Sequence, residues 1–179
     1  SEAIGVQAAI CNQPGTVHYL SNTKLPLCNG IAEFMNDSFL KKFHRETQEL
    51  YERTNNSWAR VAALSSASTQ SPERSLVLQA RRAGQTVVPV SCLPLAAIFK
   101  YLNVSWIDFA IFDVEGGELS LINTIDWRAV QFGVLVIEVD PKYRPEGYAS
   151  QVSAFIEQAS PGMYKPIYDG SGVLGRNLW

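Results

Sequence analysis

The sequence predicts an α/β domain built on a mainly parallel sheet, and three observations carry that expectation. The second half of the chain alternates short apolar runs with segments whose apolar residues recur at helical spacing. The runs themselves, such as Trp106–Phe112 and Phe132–Ile137, lack the in-out alternation of a half-solvated strand, so they fit strands covered on both faces, as in parallel sheets. A length of 179 residues with 46% hydrophobic and 18% charged side chains is that of one ordinary globular domain, taken here as residues 1–179.

The elements follow in order. Ile4 to Ile10 is apolar enough for a buried strand, Gln13-Pro14-Gly15 turns the chain, and Thr16 to Leu20 reads as a second strand. From Asp37 to Arg53, Phe39, Leu40, Phe43, Thr47, Leu50 and Tyr51 mark one amphipathic surface helix with opposite charges four residues apart. His44 lies among those charges and reads as a solvated imidazole, and His18 has no nucleophile near it in sequence. Residues 65–75 combine turn formers with almost no apolar side chains and read as a flexible loop.

Val87 to Val90 is a short β-branched strand, followed by Pro94 and a helical stripe through Leu95, Ile98, Phe99 and Leu102. Trp106–Phe112 is the next strand, ending in Asp113; Leu119, Ile122 and Ile125 mark a helix beginning at Glu118. Phe132–Ile137 is a third strand, stopped by Glu138-Val-Asp140-Pro, before a helix through Tyr148, Val152, Phe155, Ile156 and Ala159. The glycine-rich last twenty residues read as a terminal hairpin.

Composition excludes several functions. Fifteen Lys+Arg against seventeen Asp+Glu, a net charge of -2, provide no basic excess for nucleic acid or an anionic membrane. The longest charge-free stretch, residues 3–23, is interrupted by Asn12, Gln13, Pro14, Gly15 and His18, so it is no membrane span. No signal peptide is visible in the sequence, and a processed one would leave no trace; the compartment stays open, with the cytoplasm slightly favoured over an organelle or secretory lumen. Cys11, Cys28 and Cys92 have none of the paired spacings of a zinc site or disulfide framework and read as core thiols. Asn36-Asp-Ser38, Asn55-Asn-Ser57 and Asn103-Val-Ser105 match the glycosylation pattern, a motif short enough to arise by chance.

Open α/β sheets bind ligands at the carboxyl ends of their strands, and here two apolar strands end in acid: Asp113-Val-Glu115-Gly-Gly-Glu118 and Glu138-Val-Asp140. As parallel neighbours they crowd carboxylates at one edge, fit to hold a divalent cation, accept hydrogen bonds from hydroxyl or amino groups, or act as a base. The bland alternative is that Asp113 caps the following helix while Glu115 and Glu118 favour its positive end. A metal-carboxylate hydrolase is disfavoured because no histidine accompanies the acids.

The segment Ile107-Asp-Phe-Ala-Ile-Phe-Asp113-Val-Glu-Gly-Gly-Glu118-Leu-Ser-Leu-Ile resembles the signature of the FkbM-type S-adenosylmethionine-dependent methyltransferases, in which an apolar strand ends in Asp-x-Glu-Gly-x-Glu and runs into a helix. The likeness continues through Thr124-Ile-Asp-Trp127, Val134-Leu-Val-Ile-Glu138, Val88-Pro-Val and Leu93-Pro-Leu, and more weakly through Ala8-Ala-Ile-Cys, Gly15-Thr-Val17 and Gly175-Arg-Asn-Leu-Trp179. Residues 21–86 match only loosely. The resemblance implies a Rossmann-like class I methyltransferase fold, mainly parallel with a C-terminal antiparallel hairpin. It implies methyl transfer from S-adenosylmethionine to a hydroxyl of a sugar or other small molecule.

It further implies Asp113, Glu115 and Glu118 as catalytic candidates, with Asp113 beside the reacting centre and the glutamates orienting the acceptor or building a cation site. Ala9, Ile10 and Asp113 become the expected cofactor contacts, and Glu138 a supporting residue. Against the family pattern, the chain begins at about the third strand, without the glycine-rich turn and ribose-binding acid of the strands before it. The expectation is therefore a fold incomplete at its N-terminus, poor cofactor binding by this chain alone, and an apolar sheet edge for a protein partner to cover. The alternative to an enzyme is an inactive structural or interaction subunit of a larger complex.

Overall fold

A computed structural model describes residues 5, 7–66, 72–114, 116–139, 145–165 and 177–178, arranged as two compact units spanning residues 1–94 and 95–179. Both mix helices with strands.

The first unit contains β1 (Ala9–Ile10), β2 (Gly15–Asn22), β3 (Gly30–Ile31), α1 (Asp37–Phe43), α2 (Arg45–Arg53), α3 (Trp58–Ser66), α4 (Arg74–Arg82) and β4 (Gln85–Leu93). Its strands lie in the order β1-β4-β2-β3. The second strand expected at the start is present, but of the buried strand expected over 4–10 the described residues form only Ala9–Ile10, half-buried, and β1 and β2 are not paired with each other. β4 lies between them, parallel to β1 through Ala9↔Cys92 and antiparallel to β2 from Gly15↔Cys92 to Asn22↔Gln85. Because the chain reverses between β1 and β2, a strand parallel to one must run against the other.

His18, Leu20 and Asn22 are buried from alternate positions of β2, and Leu20, Leu50, Val61 and Val87 form the centre of this unit's core. Gln85 ties α2 to the sheet: its Oε1 accepts from the Thr47 backbone N–H at 3.0 Å and hydroxyl at 2.7 Å, while Nε2 donates to Glu46 at 2.8 Å.

The single helix expected over 37–53 is two helices, broken at His44, whose backbone leaves the helical region at φ -138°. His44 is fully buried rather than solvated. Its Nε2 donates to the Cys28 carbonyl at 2.7 Å, and Nδ1 has no hydrogen-bond partner among the described residues. Burial pushes its pKa below 6.5, outweighing the upward pull of the Cys28 hydrogen bond and of Glu46. Charge spacing along the chain could not show this, because the break turns residue 44 inward between two charged faces.

The cysteine reading is corrected as well: Cys11 and Cys92 form a disulfide across the β1–β4 pair, with Cα atoms 5.6 Å apart, and Cys28 lies outside that bond. The segment expected as a loop over 65–75 begins in the last turn of α3 and ends in α4, and residues 67–71 lie outside the described residues.

The second unit contains α5 (Leu95–Tyr101), β5 (Trp106–Phe112), α6 (Glu118–Ile122), β6 (Gln131–Ile137), α7 (Tyr148–Ala159) and β7 (Asn177–Leu178). β5 and β6 are adjacent and parallel, in register from Trp106↔Gln131 to Phe112↔Ile137, with α6 in the crossover. β7 runs antiparallel to β6 at its end, Val136↔Leu178 and Ile137↔Asn177. The rest of the expected hairpin, residues 166–176, is outside the described residues.

Gly133 faces the backbone of Asp108 so closely that a Cβ would lie 2.7 Å from its carbonyl oxygen. Trp127 anchors the core beneath the strands, donating from Nε1 to the Ile122 carbonyl at 3.0 Å and packing against Phe132, Phe155 and Tyr164. α7 buries Tyr148, Val152 and Ile156, as its periodicity predicts.

The sheet is not mainly parallel, and this corrects the sequence reading. Among the described residues, β1–β4 and β5–β6 are parallel while β2–β4, β2–β3 and β6–β7 are antiparallel. The architecture is a mixed α/β fold.

Candidate functional site

The acids at the ends of β5 and β6 lie at one edge of the second unit. Register alone requires this, and the Glu138 N–H donating to the Phe112 carbonyl at 2.9 Å fixes it. Asp113 follows β5 directly. It is exposed, and among the described residues its side chain has no hydrogen-bond or ion-pair partner. It does not cap the next helix, whose N-cap is Gly117.

Glu118 is the opposite case, a carboxylate with no solvent exposure. Its Oε1 accepts from the backbone N–H groups of Val114 at 3.4 Å and Gly116 at 3.1 Å, and its Oε2 from the Tyr148 hydroxyl at 2.9 Å. The Leu119 N–H in turn donates to the Tyr148 oxygen at 3.2 Å. The carboxylate thus braces the turn that follows Asp113, which bends through Gly116 at φ 113°, a conformation suited to glycine.

These contacts decide what the edge can bind. The free amides of a strand-to-helix turn usually suit an anion. Here Glu118 occupies those of Val114 and Gly116, so the turn presents the Asp113 carboxylate outward and favours hydrogen-bond donors: hydroxyls, ammonium groups or amides.

Of the other expected site residues, Glu115 and Asp140 lie outside the described residues, and Glu138 is partly buried at the end of β6. Among the described residues no three acidic, histidine or cysteine side chains converge as a metal site would need. Ala9 and Ile10 form β1 of the first unit, each half-buried beside β4. A cavity of about 520 Å³ opens at the amino ends of β5 and β6, near Lys100, Asn103, Ser105 and Asp126. It lies away from the carboxyl ends where sheets of this kind place ligands.

Two arrangements went unread in the sequence. Tyr148 is the first residue of an apolar stripe, and nothing in its spacing shows that its hydroxyl meets an acid thirty positions earlier. His18 is held by Glu33 through Nδ1 at 2.6 Å and through its backbone N–H at 3.1 Å.

No described helix is long and apolar enough to cross a membrane. The family model described as the methyltransferase FkbM domain matches residues 4–160. Neither curated proteins nor solved structures give a match to the chain.

Proposed function

The chain belongs to the FkbM methyltransferase family, and from that premise we propose that it transfers a methyl group from S-adenosylmethionine to a hydroxyl oxygen of a sugar or other small molecule. The observation that carries the proposal is Asp113: an exposed carboxylate, unpaired among the described residues, at the carboxyl end of a parallel strand pair, on a turn braced from beneath. The family match covers both units, which we take as parts of one Rossmann-like methyltransferase domain.

The residues fit such a cofactor in one testable respect. Its ribose hydroxyls and ammonium group are donors, and the edge offers an acceptor. When bound, S-adenosylmethionine supplies an electrophilic methyl group. Asp113 aligns the acceptor hydroxyl and takes up its proton as the oxygen becomes a nucleophile. Glu118 acts through the backbone by holding the turn in place. Glu115 orients the acceptor, and Glu138 supports the strand end.

A second reading has its own observation. Among the described residues β5 is an outer strand of its sheet, and Trp106, Phe109 and Ile111 along it are more than half exposed. Such an edge suits a strand supplied by another protein, as in an inactive subunit of a larger complex.

Calorimetric titration of the full-length protein with S-adenosylmethionine, followed by transfer of labelled methyl to a panel of sugars, separates the two. Binding with transfer that depends on Asp113 supports the enzyme. A folded protein that neither binds nor transfers, and that co-purifies with a strand on β5, supports the subunit.

A further inference from the structure

Three Asn-x-Ser segments stand in the sequence, and their surroundings are not alike. Asn36 is half-buried and committed: its Oδ1 caps α1 by accepting from the Phe39 N–H at 2.8 Å, and also accepts from the Ser38 hydroxyl at 2.7 Å. Asn55 is exposed in the turn between α2 and α3, at φ 55°. Asn103 is exposed in the turn between α5 and β5, at φ 54°. Neither of these two engages its side-chain amide with another described residue.

The second, independent observation is the disulfide between Cys11 and Cys92. Reducing compartments keep such thiols apart, whereas the secretory lumen joins them. That lumen is also where asparagines in this motif receive glycans.

We propose that the protein matures in an oxidising secretory lumen and carries N-linked glycans on Asn55 and Asn103, with Asn36 unmodified. In the transfer step Nδ2 of each asparagine attacks the anomeric carbon of a lipid-pyrophosphate-linked oligosaccharide. The new carbon–nitrogen bond replaces the bond to the pyrophosphate oxygen, the lipid pyrophosphate leaves, and Nδ2 gives up one proton. Disulfide formation passes the two electrons and two protons of the Cys11 and Cys92 thiols to a disulfide-bearing acceptor protein of the same compartment. The glycans extend from turn tips into solvent and displace no packed side chain. At Asn36 a glycan would burden a half-buried cap.

The test uses full-length protein isolated from its own cells. Treatment with an amide-cleaving endoglycosidase should increase gel mobility and leave Asp in place of Asn at positions 55 and 103, detected by peptide mass, with Asn36 unchanged. Asn55→Asp and Asn103→Asp, which tolerate the left-handed backbone, should each remove one step of the mobility shift. Alkylation without reductant should leave Cys11 and Cys92 unlabelled, and alkylation after reduction should label both. Unmodified Asn55 or Asn103 overturns the assignment of that site. A glycan at Asn36 overturns the exclusion of that site, and free thiols at Cys11 and Cys92 overturn the proposed maturation.

Discussion

The Tyr148 hydroxyl lies 2.9 Å from Glu118 Oε2, joining the first residue of α7 to the first residue of α6 out of contact with solvent. A buried carboxylate without partners is costly, so this bond and the two backbone donors help to make Glu118 tolerable there. Tyr148→Phe removes the hydroxyl and strips a donor from Glu118 and an acceptor from the Leu119 N–H. It should lower unfolding free energy by about 1–3 kcal/mol, read from urea denaturation. An unchanged midpoint would mean the bond contributes nothing to holding the turn.

Asp113→Asn should separate chemistry from stability. The side chain is exposed and unpaired, so thermal unfolding should stay within a degree or so of wild type, as surface substitutions do. Methyl transfer should fall about a hundredfold, the usual scale for losing a general base. Equal turnover by the variant would remove Asp113 from the reaction.

At Gly133 the constraint is spatial. A methyl group there would lie 2.7 Å from the Asp108 carbonyl oxygen, so Gly133→Ala must push β5 and β6 apart. The expected loss is about 1–3 kcal/mol in denaturant unfolding, the scale of overpacking. Transfer should weaken too, since Asp113 and Glu138 end the same two strands.

The buried His44 should make stability depend on pH. Its folded pKa is lowered from 6.5, so as pH falls through about that value the unfolded chain takes up a proton that the folded chain refuses. Stability should therefore be fully present above this range and decline below it until the lower folded pKa is reached. Denaturant melts at several pH values measure the slope, and His44→Gln should flatten it.

How much was legible in the sequence depended on the range of the interaction. The pairing of β5 with β6 and the shared edge of Asp113 and Glu138 follow from apolar runs joined by a helix, a local pattern. The apolarity of Phe109 and Ile111 was equally visible, yet a run of apolar residues does not say what covers it, and both are exposed. The insertion of β4 between β1 and β2, and the Cys11–Cys92 bond across 81 positions, depend on partners remote in the chain, which no window of spacing contains. Glu118 read as a candidate of the same rank as Asp113, because identity and spacing do not distinguish a carboxylate facing inward from one facing out.

The interposed β4 also fixes an order of assembly. β2 waits for a strand that lies beyond four helices in the chain, so the central ladder closes late and over long loops, the circumstance that slows folding. β1 follows, because among the described residues its ladder partner is β4 alone, over two residue pairs. The strand carrying Ala9 and Ile10 is thus the last to dock and the first to fray. In amide hydrogen exchange under reducing conditions, the Cys11 N–H, bonded to the Leu93 carbonyl, should lose protection well before the amides of β2, and closing the disulfide should restore it.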